Sequence, residues 1–130
     1  MKTFSVHQLT LPDEGKGFAL NISSVVKMAT NPDPDMARLM LESPGNNLYA
    51  KYTLVGVVSV EEDQGPEDVF NIAQNDTISW LDKLEVTSFV ASRSARSVSV
   101  GDVIFDYRSL DNYLVMPVGM LNIGKVRVVQ

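Results

Sequence analysis

Alternating apolar and polar residues predict two β-strands in the first half of the chain. TFSVHQLTL, positions 3 to 11, alternates loosely and ends at Pro12, where a strand is expected to stop. LYAKYTLVGVVSV, positions 48 to 60, is rich in the β-branched and aromatic residues that fit a pleated sheet. Because this second run is the strongest strand signal in the chain, we expect it at the centre of a sheet.

Two short segments carry helix signals. NPDPDMARLMLESPG, positions 31 to 45, has apolar residues at i, i+3 and i+4 and is stopped by a proline and a glycine. PEDVFNIAQN, positions 66 to 75, begins with Pro66 and places Glu67 and Asp68 in the first turn, where the helix dipole favours carboxylates. Both segments are predicted to be short amphipathic helices.

The second half of the chain is predicted to contain a long connection and then a hairpin. Residues 75 to 97 show no clear periodicity and are interpreted as a connection that crosses the domain. SVGDVIFD predicts a strand that is entered through a turn at Gly101 and Asp102, and YLVMPVGMLNIGKVRVV predicts the final strand. The predicted fold class is α+β, with two short helices and a small, mainly antiparallel sheet. A half-open barrel is the alternative form of this sheet.

Composition predicts one domain that spans residues 1 to 130. The chain is 45% hydrophobic and 21% charged, which is ordinary for a globular protein. It contains no cysteine, so disulfides, thiolate catalysis and cysteine-bound metals are excluded. No apolar leader and no stretch long enough to span a membrane is present, so we expect neither secretion nor membrane insertion.

Charge is distributed unevenly along the chain. Residues 1 to 92 hold 6 basic and 13 acidic residues, a balance of −7, whereas residues 93 to 130 hold 5 basic and 3 acidic residues, a balance of +2. A surface built from the acidic part would repel nucleic acid and suit a basic partner. The alternative is that the acidity only keeps the protein in solution.

Catalytic and metal chemistry find few candidates in the sequence. The single histidine, His7, lies on the first predicted strand as a residue of its polar face, and no G-x-S-x-G motif accompanies it. With no cysteine and one histidine, no metal site and no cofactor are expected. Asp102 and Asp106 could act as a carboxylate pair, but Asp102 follows a glycine and is expected to bond its own turn. We therefore expect no enzymatic activity.

Binding chemistry is concentrated in one segment that carries two arginines, Arg93 and Arg96. Their donors could grip a phosphate, a carboxylate or a nucleotide, and on one strand face alternate serines would join them. The alternative is that both arginines pair with the acidic body of the same protein. The serines around them are Ser92, Ser94, Ser97 and Ser99.

The motifs VFNIAQND, Trp80, ARSVSVGDVIF and YLVMPVGM together resemble a group of small proteins of bacteriophages and mobile elements, some of them YodL-like. The shared pattern is an F-x-L-T-N segment, a tryptophan, an R-S-x-S-V-G-D-V box, Y-x-V and G-[FW]. The resemblance covers residues 52 to 123. Met120 departs from it, because an aromatic residue is usual there. The matching positions are Phe70, Gln74, Asn75, Trp80, Arg96, Ser97, Ser99, Val100, Gly101, Asp102, Tyr113, Val115 and Gly119.

The resemblance implies a phage or prophage origin and action in the host cytoplasm. It also suggests one spatial cluster, in which Asn75, Trp80, Arg96 and Ser97 line a small groove. The rival interpretation is structural, with Trp80 packed on Phe70 and Arg96 holding the long connection through backbone carbonyls. The predicted ligand or partner residues are Asn75, Trp80, Arg93, Arg96, Ser97 and Ser99.

The functional hypothesis is a non-enzymatic phage accessory protein that binds a host or phage macromolecule and alters its activity, in host takeover, transcription or counter-defence. A partner protein with a basic surface, such as a nucleic-acid enzyme, is expected, and duplex DNA is disfavoured by the charge. A homodimer is an open alternative. Two other hypotheses are a protein that sequesters a nucleotide or similar small ligand, with stacking on Trp80, and a component of the virion or its assembly.

Overall fold

A computed structural model describes residues 1–10, 51–92, 94–116 and 119–125. The helix that the sequence predicts at positions 31 to 45 lies outside the described residues. Within them, six strands, one α-helix and one 3-10 helix are formed. In chain order these are β1 (Lys2–Thr10), β2 (Lys51–Val60), α1 (Pro66–Ile72), the 3-10 helix (Trp80–Asp82), β3 (Val86–Ser88), β4 (Val103–Asp106), β5 (Asn112–Val115) and β6 (Met120–Gly124).

The strands form one antiparallel sheet in the order β3-β2-β1-β4-β5-β6. The prediction of a mainly antiparallel sheet is confirmed, and the fold is dominated by this sheet. Among the described strands, β3 and β6 are the two edges and do not pair with each other, so the sheet is open rather than a half-open barrel. β2 lies inside the sheet, one position from its edge, and β1 and β4 are the central strands.

The helix α1 forms where the sequence predicts it but ends earlier, at Ile72. Pro66 occupies the first turn, and the carboxylate of Asp68 accepts a hydrogen bond of 2.9 Å from the backbone N–H of Gly65. This contact satisfies one of the backbone donors that a helix start leaves unpaired. With α1 and the 3-10 helix packed on one face of the sheet, a hydrophobic core is formed there.

The core on that face requires a glycine in β2. A Cβ atom at Gly56 would lie 3.1 Å from Leu81 Cδ2 and 3.3 Å from Trp80 Cη2, closer than side chains normally pack. Phe4 and Val6 of β1 lie on the same face as Gly56, and both are fully buried. The 3-10 helix therefore sits directly on the sheet at this position.

Two predictions for the second half of the chain are wrong in detail. The connection at 75 to 97 is not structureless, because it contains the 3-10 helix and the edge strand β3. The final predicted strand is divided into β5 and β6, which pair as a hairpin. A three-residue strand such as β3 is too short to show alternation, which is why its pattern was not visible.

The residues directly before Gly101 are not a strand, so the condition under which alternate serines would share a strand face with the arginines is not met. Residues 94 to 99 have no regular secondary structure. Val98 is buried, whereas Val100 is 38% exposed. The strand that the box enters, β4, begins only at Val103.

His7 is buried rather than on a polar face. Alternation along β1 places Ser5 and His7 on the sheet face opposite Phe4, and the two side chains are 1% and 6% exposed. Ser5 Oγ and His7 Nε2 lie 2.8 Å apart, within hydrogen-bonding distance. Burial lowers the pKa of His7 to about 4, so the ring is neutral at neutral pH.

In the part of the chain that the structure describes, no helix is long and apolar enough to cross a bilayer.

Candidate functional site

The turn at Gly101 brings Asp102 back toward the residues that precede it. Gly101 has a φ of 95°, a conformation that glycine adopts without steric cost. The backbone N–H of Ser99 donates a hydrogen bond of 2.9 Å to Asp102 Oδ2. The expected bond of Asp102 within its own turn is therefore present, and the turn closes the RSxSVGDV segment, which we call the box (residues 96 to 103).

Arg96 is held by Asp102 from inside the same segment. Its Nη1 and Nη2 atoms donate to Asp102 Oδ2 and Oδ1, each at 2.7 Å. The Asp102 side chain is fully buried, whereas that of Arg96 remains 42% exposed. The paired carboxylate raises the pKa of Arg96 above its already high ordinary value. Arg96 Nη1 also donates to Ser99 Oγ at 3.1 Å, so the arginine closes the box on itself.

The buried ion pair has a neutral polar neighbour on β2. Tyr52 donates a hydrogen bond of 2.6 Å from its hydroxyl to the carbonyl of Gly101. Burial, and then the charge of Asp102, raise the pKa of Tyr52 far above its usual range, so the phenol stays protonated. The turn is thus fastened to the sheet by a donor that does not ionise.

The backbone of the box is tied to the core at the carbonyl of Arg96. Trp80 Nε1 donates to it at 2.9 Å and Gln8 Nε2 donates at 2.7 Å. Gln74 Nε2 donates to the carbonyl of Val98 at 2.9 Å. These bonds replace the strand pairing that residues 94 to 99 lack, because buried carbonyls require partners.

Asn75 connects the box to the 3-10 helix. Its Nδ2 donates to the carbonyl of Ala95 at 2.8 Å, and its Oδ1 accepts from the backbone N–H of Trp80 at 2.9 Å. Its own backbone N–H donates to Ser97 Oγ at 2.8 Å. One side chain therefore fixes both the end of the connection and the start of the 3-10 helix.

The structure brings four of the predicted site residues together: Asn75, Trp80, Arg96 and Ser97. Trp80 is fully buried in the core, and Phe70 packs against the same core. The connection is held through the carbonyl of Arg96, whereas the guanidinium serves the turn. A buried indole offers no face on which a nucleotide could stack.

The remaining predicted residues lie in different settings. Ser99 is exposed and accepts the bond from Arg96, while Arg93 lies outside the described residues. Asp106 is 7% exposed, and its Oδ1 accepts a hydrogen bond of 2.8 Å from the backbone N–H of Arg108. Within the described ranges, no group of three or more acidic, histidine or cysteine side chains is close enough to hold a metal ion.

A groove that the sequence did not single out lies between α1 and the β5–β6 hairpin. Its volume is about 320 Å³. Spacing could have indicated its helix wall, because positions 67, 70 and 71 lie on one face of a helix, at i, i+3 and i+4. The lining residues are Glu67, Phe70, Asn71, Val115, Met116, Gly119 and Met120.

Comparison of the chain with protein-family models finds no match, and comparisons with curated proteins and with solved structures find no significant similarity.

Proposed function

We propose that this is a non-enzymatic accessory protein that binds a partner protein with a basic surface. The observation that carries the proposal is an acidic segment in which Glu62 and Asp76 are paired with Arg108 and Lys83, while some other exposed carboxylates have no such partner among the described residues. Residues 61 to 82 contain seven Asp and Glu residues and no Lys or Arg. Glu61, Asp63 and Glu67 are exposed, and among the described residues their side chains make no hydrogen bond or ion pair.

The positive charge of Arg96 supports this assignment because it is paired with Asp102 of the same protein. Arg96 donates hydrogen bonds to Asp102 and Ser99. The exposed acidic residues are therefore more available than Arg96 for contact with a partner. Exposed charges of this kind steer association and select partners with charges of opposite sign. Duplex DNA is a poor partner, since phosphate contacts with basic residues supply most of such affinity.

The setting of the proposal comes from the resemblance to phage and mobile-element proteins. The protein acts in the cytoplasm of an infected bacterium on a host or phage macromolecule, in host takeover, transcription or counter-defence. The finer α+β fold, with a second short helix at positions 31 to 45, belongs to the same proposal.

The test is affinity capture from infected cells, followed by mass spectrometry, with two variants of equal charge change. Glu61→Gln combined with Asp63→Asn removes two negative charges from the acidic surface. Ser92→Lys combined with Ser94→Lys adds two positive charges beside the box, at exposed positions. We expect the first pair to reduce recovery of the partner several-fold and the second pair to leave it unchanged. Equal recovery with wild type and both variants, or a loss confined to the serine variant, would contradict the proposal.

A further inference from the structure

We infer that the groove between α1 and the β5–β6 hairpin receives a large apolar side chain of the partner, next to a Lys or Arg of the same partner segment. This inference rests on the proposed function, because it assigns the contact point of that binding. The groove is distinct from the box, whose side chains are used within the protein.

The size and lining of the groove fit a side chain of a protein. A volume of about 320 Å³ is at the lower end of the range for small-molecule pockets. Its floor combines Val115 and Met116, which are 2% and 7% exposed, with the partly exposed Phe70 and Met120. Methionine side chains adapt to different shapes, so this floor can accept an aliphatic or an aromatic anchor. Such an anchor in an apolar pocket is the usual centre of a protein interface.

The charge at the groove selects the residue beside the anchor. Glu67 lines the groove, is exposed, and makes no hydrogen bond or ion pair within the described part of the chain. Asn71, one helical turn further on, adds an exposed amide to the same wall. Among the residues that the structure describes, none that lines the groove is basic. A partner segment that places a cation against Glu67 is therefore complementary, whereas an acidic segment is repelled.

The test uses three synthetic peptides as probes: acetyl-KKLFKK-amide, acetyl-EELFEE-amide and acetyl-KKGGKK-amide. NMR of the protein labelled with ¹³C in the methionine methyl groups reports on Met116 and Met120. We expect saturable shifts of these two signals with the first peptide, and none with the acidic peptide or with the peptide that lacks an apolar anchor. Glu67→Gln should weaken binding of the first peptide roughly three- to tenfold.

A matched pair of exposed substitutions controls for folding and for net charge. Asn71→Lys places a positive charge on the groove wall and should abolish the shifts, whereas Thr77→Lys adds the same charge outside the groove and should not. Circular dichroism checks that both variants fold. Equal shifts with all three peptides, no shift at millimolar peptide, or shifts that track protein concentration without peptide, as a second copy would cause, each overturn the inference.

The two proposals fail separately. If capture of the partner depends on Glu61 and Asp63 but no peptide enters the groove, the proposed function stands and the groove assignment is wrong. If the first peptide binds the groove while partner capture ignores the neutralised acidic residues, the groove assignment stands and the acidic surface is not the determinant of partner choice.

Discussion

Arg96 and Asp102 bind each other through two hydrogen bonds of 2.7 Å, with the carboxylate fully buried and the guanidinium half exposed. An arginine that the sequence presents among serines, as if to grip a ligand, is thus used to close a turn. Such two-pronged contacts fix geometry as well as charge. The Arg96–Asp102 pair consequently closes the turn through which the chain enters β4.

Removal of Arg96 should destabilise the protein substantially. Arg96→Ala leaves the buried carboxylate of Asp102 without its cation, and we expect a loss of about 2 to 4 kcal/mol in the free energy of unfolding. Urea denaturation measures this loss. Arg108→Ala is the control, because its ion pair with Glu62 is exposed and should contribute little.

The double variant Arg96→Ala with Asp102→Asn separates the ion pair from simple loss of packing. Because an uncharged amide costs less to bury than an unpaired carboxylate, the double variant should be more stable than Arg96→Ala alone. If the losses of Arg96→Ala and Asp102→Asn measured separately add up to the loss of the double variant, the pair does not hold the turn. The same conclusion follows if Arg96→Ala is as stable as wild type.

The fluorescence of the only tryptophan should be shielded from solvent. Trp80 is fully buried, and its indole N–H is bonded to the carbonyl of Arg96. Acrylamide should therefore quench the native protein weakly and the unfolded protein strongly. Added ATP or GTP should leave the emission unchanged. Strong quenching in the native state, or a saturable change with a nucleotide, would revive the hypothesis of stacking on Trp80.

A methyl group at Gly56 should be more damaging than the same change at another glycine. Gly56→Ala would press on Leu81 and Trp80, and we expect a loss of about 1 to 3 kcal/mol in stability. Gly65→Ala is the control, because a Cβ atom at Gly65 has no neighbour within 4 Å; since alanine is disfavoured at the N-cap of α1, a smaller loss of about 0.5 kcal/mol is expected there. Equal effects in thermal unfolding of the two variants would argue against the close contact between the 3-10 helix and β2.

Local signals explain why part of the fold could be predicted. Alternation and β-branched content identify β1 and β2, and a proline followed by two acids identifies the start of α1. β3 gives no such signal, since Val86–Ser88 is too short for a period to appear. Its existence depends on pairing with β2, which is a tertiary property.

The candidate site shows the same division between local and tertiary information. The clustering of Asn75 and Trp80 with the box could be inferred from motifs, but the direction of the Arg96 side chain could not, because it depends on the turn at Gly101. The burial of His7 was missed because alternation shows which residues share a face, and both faces of β1 carry buried residues. Alternation alone cannot show whether other parts of the protein cover one face of a strand or both.

The pH dependence of stability should contain a contribution from His7. Burial lowers its pKa from 6.5 to about 4, so between these values the unfolded chain binds a proton that the folded protein does not. Stability is therefore complete above pH 6.5 and decreases as the pH falls toward 4. The expected loss from this residue is about 3 kcal/mol, at 1.36 kcal/mol per unit of pKa difference.

His7→Gln, which cannot titrate, should lose less stability than wild type between pH 7 and pH 4.5. Because the carboxylates titrate in both proteins, the difference between the two curves isolates His7. The proton signal of the single imidazole gives the pKa directly, and a value near 6.5 in the folded protein would contradict the burial of His7.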